Sequence, residues 1–335
     1  MAAAVEAPVR SARPAPSRGR WRWRRWSPRA RPEARRKIAV VIASAAVAAA
    51  GVAVAAARSR LEYRPPAPCS GGTPRAPGGQ DAARRLDQAA ALLAASALTD
   101  SAVEHYRGSF HNKAMYAPLA VSTLTLALRG AAGSAVDLQP ARSTVNLAAI
   151  AAGVAGTGFH VYNISKRPGG LCWLNLFYAA PFGAPVALSL AGLLGEAADR
   201  ARDGGIAGVG LARLVSAALL GTVAEAALLH FRGAYHNPAM LIPVTAGPVA
   251  AALLARAAST PSQEPVAARW SLRLLTAVGF VGAGFHAYGV HRNMGGWRNW
   301  SQNLLNGPPL PAPPAFTALS IAGLAALRLI REQRA

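Results

Sequence analysis

Six histidines, two acids and two arginines stand in an arrangement that the chain states twice. The segment from His105 to Met115 (HYRGSFHNKAM) returns from His230 to Met240 (HFRGAYHNPAM). At nearly the same distance after each copy comes GxxGxGFHxY, from Gly153 to Tyr162 and from Gly279 to Tyr288. Six of the seven histidines obey this repeat: His105, His111, His160, His230, His236 and His286. Imidazole nitrogen is the commonest transition-metal ligand, so these six are the candidate metal ligands. An acid stands five residues before the first histidine of each copy, Asp100 before His105 and Glu225 before His230. Carboxylates inside a membrane are costly and are functional suspects by default. Asp100 and Glu225 are therefore candidate ligands or proton acceptors, with Tyr162 and Tyr288 as candidate proton shuttles beside them. Glu104 has Leu229 in the matching place and is the weaker candidate.

The chemistry follows from the donor atoms. Met115 and Met240 lie four residues after His111 and His236, a spacing that on a helix puts imidazole and thioether on one face. Nitrogen with soft sulfur suits copper or a haem iron, whereas nitrogen with carboxylate suits non-haem iron, manganese or zinc. Arg107, Arg232, Asn112 and Asn237 add hydrogen-bond donors that would hold an anionic group such as a haem propionate or a phosphate. Pairing His105 with His160 and His230 with His286 would give two equivalent bis-histidine haem b sites. Convergence of all six would instead give a dinuclear centre on a shared axis. No HExxH, ExxH or CxxCH pattern decides between them. Each feature also has a purely structural reading. Histidine near a helix end caps carbonyls, Arg-Gly stops a helix, methionine fills gaps, and GxxGxG lets helices pack closely.

The residues that must position these groups are apolar. Hydrophobic residues make up 52% of the 335-residue chain and charged ones 15%, against about 25% charged in soluble domains. This is the profile of an integral membrane protein. The net charge of +22 is concentrated at the start, where twelve basic residues precede position 38 against Glu6 and Glu33, among Trp21, Trp23 and Trp26. A basic arm ahead of an apolar run reads as a cytoplasmic anchor on anionic lipid, and only secondarily as a nucleic-acid binder. Cys69 and Cys172 fall in unrelated contexts and indicate neither a disulfide framework nor a CxxC metal site.

The expected fold is an all-α integral membrane protein. Two tandem parallel four-helix repeats would be related by a pseudo-two-fold axis along the membrane normal, preceded by one N-terminal transmembrane anchor. The divisions are a disordered basic arm (1–37), the anchor (38–57), a Pro/Gly/Arg-rich linker (58–83), repeat 1 (84–200) and repeat 2 (205–331). The run 38–57 carries no charge and is long enough to cross a bilayer core of about 30 Å; a cleaved export signal is the other reading. Helices are predicted over 84–106, 114–129, 143–164 and 178–195, and over 206–231, 239–256, 270–290 and 313–330. The first and third helix of each repeat run in the same sense, which places both motifs at one membrane face. The stretches 168–185 and 294–314, with Trp173, Trp297 and Trp300, are expected to cover that face as re-entrant or interfacial segments.

Sidedness draws on two rules that disagree. Nine crossings from a cytoplasmic arm put the motif face in the cytoplasm, whereas Arg58, Arg60, Arg64, Arg84, Arg85, Arg129, Arg142, Arg200, Arg202, Arg256, Arg269 and Arg328 cluster at the opposite face. The helix over 84–106, with its acids, is the first candidate not to cross. The function expected is a multi-pass protein of the cell membrane, its N-terminus cytoplasmic, that binds copper, iron or haem in a redox role with an electron-transfer or substrate partner. Two other classes use the same residues. One is a transporter or proton pathway between the repeats, and the other is a membrane-embedded enzyme on a lipid or phosphorylated substrate.

Overall fold

The computed structural model describes residues 32–62, 77–131 and 138–334. Among these the chain is helical, apart from one isolated bridge between Glu62 and Ile206. The order is α1 (Pro32–Leu61), α2 (Pro77–Arg107), α3 (Ala117–Gly130), α4 (Gln139–Ser165), α5 (Trp173–Phe177), α6 (Gly183–Arg202), α7 (Gly208–Arg232), α8 (Leu241–Ser259), α9 (Val266–Arg292), α10 (Trp300–Asn306) and α11 (Pro314–Glu332). All nine expected long helices are present. Proline at the first turn opens α3, α4 and α11, where its missing N–H costs nothing. Several boundaries move, and α6 runs Gly183–Arg202 where 178–195 was expected. α1 starts at Pro32, inside the stretch expected to be a basic arm, and α2 starts at Pro77, inside the expected linker. Residues 1–31 of the arm and 63–76 of the linker lie outside the described residues.

Six helical segments are long and apolar enough to cross a bilayer: Arg36–Leu61, Gln139–Ser165, Gly208–Arg232, Pro238–Ser259, Val266–Arg292 and Pro314–Glu332. The chain is thus a multi-pass membrane protein by helix length and composition, with six such segments where nine crossings were expected. α2 falls short, as its acids foretold, and so do α3 and α6. α3 has only 14 residues. α6 carries Glu196, Asp199, Arg200 and Arg202 but is buried from Ala187 to Ala198, so it faces protein where lipid would require an apolar surface.

Packing places α2, α3, α4 and α6 together and α7, α8, α9 and α11 together. The join between these groups is uneven. α11 packs along α2, whereas α6 barely touches α7, and α1 lies against α4 and α7. The glycines of the third helices explain how the layers close. A Cβ at Gly153 would lie 2.7 Å from the backbone nitrogen of Ser189, and one at Gly279 would lie 2.8 Å from that of Thr317. Gly156 and Gly282 meet Pro185 and Pro313 in the same way, at 3.1 and 2.9 Å. The first two glycines of each GxxGxG therefore seat α6 on α4 and α11 on α9. The third glycines differ: Gly158 receives Val47 of α1, while nothing stands within 4 Å of a Cβ at Gly284.

The end of the bundle away from the motifs is built on ion pairs. Arg129, with a side chain 1% exposed, donates to Asp87 at 3.0 Å, Asp199 at 3.0 Å and Asn146 at 3.1 Å. Arg142 and Arg202 also bind Asp199, at 3.1 and 2.7 Å, and Arg202 reaches Asp87. Arg58 pairs with Glu196 at 2.8 Å, and Asp81 gathers Arg84, Arg85 and Arg328. Much of the basic charge expected on this face is thus neutralised by acids beside it. Gly195 of α6 packs on Asn146 and Arg129 of this network, whereas Gly323 of α11 packs on Leu272 and Leu254.

Candidate functional site

Each motif helix ends in the same turn. Phe110 N donates to His105 O at 3.0 Å and Tyr235 N to His230 O at 3.0 Å. The turn needs two consecutive left-handed residues, Ser109 and Phe110 (φ 56° and 45°) and Ala234 and Tyr235 (φ 54° and 47°). Such conformations are costly for residues other than glycine and persist only where surrounding bonds fix them. Here the histidines supply those bonds. His105 Nδ1 lies 2.7 Å from Met115 O and His230 Nδ1 lies 2.8 Å from Met240 O. His111 Nδ1 sits 3.1 Å from Gly108 O, and His236 Nδ1 sits 3.0 Å from Gly233 O.

Three features of this turn bear on the sequence reading, the first of them as a correction. His111 and Met115 do not share a helical face, and neither do His236 and Met240. The chain is extended at Asn112 (φ −124°, ψ 127°) and Asn237 (φ −120°, ψ 125°), and each methionine belongs to a separate 3-10 turn, Lys113–Tyr116 or Pro238–Met240. Second, Asn112 and Asn237 cap those turns, their side-chain oxygens accepting from Ala114 N and Ala239 N at 2.9 Å. Third, the methionine methyls pack where a Cβ on Gly108 or Gly233 would sit, at 3.3 and 3.1 Å, so the thioethers fill the turn.

The GFHxY histidines come from the C-terminal parts of α4 and α9. His160 lies within electrostatic range of His105, and His286 within range of His230. His111 and His236 stay on exposed turns. Among the described residues no three of His, Cys, Asp and Glu form a group that could hold a metal ion. His286 Nδ1 lies 2.6 Å from Pro309 O. His160 Nδ1 is buried without a partner at hydrogen-bond distance, close to the carbonyls of Ala180 and Pro181, and its ring lies 5.9 Å from Phe182.

The tautomers follow from these partners. A carbonyl oxygen only accepts, so Nδ1 of His105, His111, His230, His236 and His286 carries the proton. In the neutral ring Nε2 then keeps its lone pair, free to accept a proton or bind a metal. Tyr162 and Tyr288 lie under cations, Lys166 at 5.1 Å and Arg292 at 5.9 Å from the ring centres.

The acids and arginines separate by half. Asp100 is within electrostatic range of Glu104, Glu225 and Arg107. Glu225 Oε1 accepts from Gly183 N at 2.8 Å and so caps α6, favoured by the positive end of the helix dipole. Arg107 donates to both oxygens of Glu104 at 2.8 and 3.0 Å. Leu229 replaces that acid in the second copy, and Arg232 reaches elsewhere. Its Nη2 donates to Leu176 O at 3.3 Å and Ala179 O at 3.2 Å, and its guanidinium lies 5.7 Å from the Phe177 ring centre. Phe177 also meets Phe231 edge-on at 5.8 Å. Neither the α6 cap nor the residues around Phe177 were singled out from the sequence. The exchange of Glu104 for Leu229 was the available signal, because it leaves Arg232 without its local acid.

No known protein family, curated protein or solved structure matches this chain.

Proposed function

We propose that this membrane protein binds a transition metal, as haem iron or copper, through two histidine pairs, His105 with His160 and His230 with His286, and that its role is redox. The observation that carries the reading is the anchoring of Nδ1 on backbone carbonyls at His105, His230 and His286. Metal-bound histidines characteristically donate their other ring N–H in this way, which fixes ring orientation and raises ligand basicity. Two imidazoles would suit a haem, which would supply redox chemistry at its iron, and they would also suit copper. Arg107 and Arg232 stand beside the pairs as partners for an anionic group. In this reading the chain is two parallel four-helix repeats about a pseudo-two-fold axis. The matching turns at Ser109–Phe110 and Ala234–Tyr235 support it.

The setting proposed is the cell membrane, with the basic arm on anionic lipid at the cytoplasmic side and an electron-transfer or substrate partner at the motif end. Neutralisation of the arginines at the other end by Asp81, Asp87, Glu196 and Asp199 supports that orientation, because it weakens the opposing charge rule. A second reading, a proton or cation pathway, is favoured by one observation: Asp100 lies within electrostatic range of Glu225 as well as of Glu104. Visible absorption and metal analysis of the purified protein separate the two. A Soret band or stoichiometric iron or copper supports the redox reading. Colourless, metal-free protein that moves protons in vesicles supports the pathway.

A further inference from the structure

We infer that residues 168–182 form a lid over His160, latched shut by the other half of the chain through Arg232 and Glu225. The inference deepens the proposal above, since it assigns access control to one of the histidine pairs. The segment leaves α4 just after the motif, turns through Gly169 and Gly170 (φ 91° and 61°), forms the short α5 and re-enters at α6. Its last residues, Ala180 to Phe182, lie against the His160 ring. Asn175 braces the turn from within, donating to Pro168 O at 2.9 Å and Gly170 O at 2.8 Å.

Most of what holds the lid from outside comes from α7. Arg232 binds two lid carbonyls and lies over Phe177, Phe231 packs edge-on against the same ring, and Glu225 fixes the lid's far hinge at Gly183. Arg232 Nε is buried with no partner of its own. Carbonyls and a ring hold Arg232, with Glu225 within electrostatic range rather than in a close ion pair, and such a guanidinium is easier to release than one in a close ion pair. Arg107, the same residue of the other motif, cannot perform this task because Glu104 holds it. Arg232 and Glu225 are therefore positioning residues for the first half's histidine pair, and the second half's state sets access to the first.

The test is cysteine labelling of the full chain in lipid vesicles. With Cys69 and Cys172 replaced by Ser, Ala179→Cys places a thiol at a buried lid position whose carbonyl Arg232 holds. A maleimide should label it slowly. Adding Arg232→Gln should raise the rate about tenfold or more, as expected for losing charge-assisted hydrogen bonds, while Arg107→Gln should leave it unchanged. Ala90→Cys in the core reports general loosening. Equal rates in Arg232→Gln and Arg107→Gln overturn the inference, and so does a rise that Ala90→Cys shares. Phe177→Leu, which keeps Arg232 but removes the ring, should give a smaller rise in the same direction; no rise contradicts the latch. Labelling does not depend on bound metal, so failure of the lid and failure of the metal-binding proposal are read separately.

Discussion

Glu225 on α7 accepts a hydrogen bond from Gly183, the first residue of α6, at 2.8 Å, so a carboxylate of the second half caps a helix of the first. The acid that stood out as an isolated intramembrane charge is tied to a backbone N–H, and the two halves are joined at the end that carries the histidines. A side chain at Gly183 would have to displace the carboxylate. A Cβ at Gly183 would lie 2.7 Å from Glu225 Cδ and 2.9 Å from its Oε1.

Gly183→Ala should therefore displace the cap and lower stability by about 1–3 kcal/mol, read as a lower Tm in detergent. Glu225→Gln keeps an acceptor oxygen and should lose less than Glu225→Leu. Unchanged melting in Gly183→Ala would show that the carboxylate can leave without cost.

Within one motif, two glycines should respond with opposite sign. Gly279→Ala drives a methyl into Thr317 and Pro313 of α11 and should destabilise by about 1–3 kcal/mol. Gly284→Ala meets open space on the outer face and should be neutral or stabilising by about 0.5–1 kcal/mol through helix propensity. Similar losses at both positions would mean that α9 is covered where the structure leaves it open.

Removing Arg129 alone leaves Asp87 and Asp199 buried and short of their central cation, so Arg129→Leu should cost about 3–5 kcal/mol. Combining it with Asp87→Ala and Asp199→Leu should recover only part of that loss, because Arg142 and Arg202 then lose their own carboxylate partners. Thermal melting of the single and triple variants checks this. A triple variant less stable than the single one would assign the network a role beyond filling space.

Acid should loosen the end away from the motifs. Burial pulls Asp81 upward, but the hydrogen bond from Arg85 and the charges of Arg328, Arg85 and Arg84 outweigh it and hold the carboxyl below its usual 3.8. A depressed carboxylate contributes stability that is fully present above its unfolded pKa and is lost as pH falls through the folded one. Stability should thus drop below about pH 4, and Asp81→Asn should remove that part of the pH dependence. An identical acid profile in Asp81→Asn would exclude this cluster as its source.

The helices were legible because apolar runs and proline starts are local signals. The exceptions have physical reasons. α6 was expected to cross the membrane over 178–195, yet it runs on to Arg202 and its acids and arginines are satisfied inside the bundle, and pairing between distant residues leaves no periodic trace. The motif turn was misjudged in one respect. A four-residue spacing implies a shared face only on a continuous helix, and Asn112 and Asn237 break the helix to cap a new one. His105 and His160 were expected at one level because parallel helices of similar length end together, and the two lie within electrostatic range of each other. The role of Arg232 was out of reach, since the carbonyls it binds belong to a segment more than fifty residues earlier in the chain.

The most direct test of the central claim is iron and copper content per chain, with the visible spectrum, in His160→Ala, His286→Ala and the double variant. These two histidines sit at the ends of long helices and do not brace the motif turns, so their loss should leave the fold intact. Two equivalent sites predict that each single variant loses about half the bound metal and that the double variant loses all of it. Metal content that stays at the wild-type level in the double variant, or a wild-type protein with no metal after expression in iron- and copper-replete medium, would contradict the account.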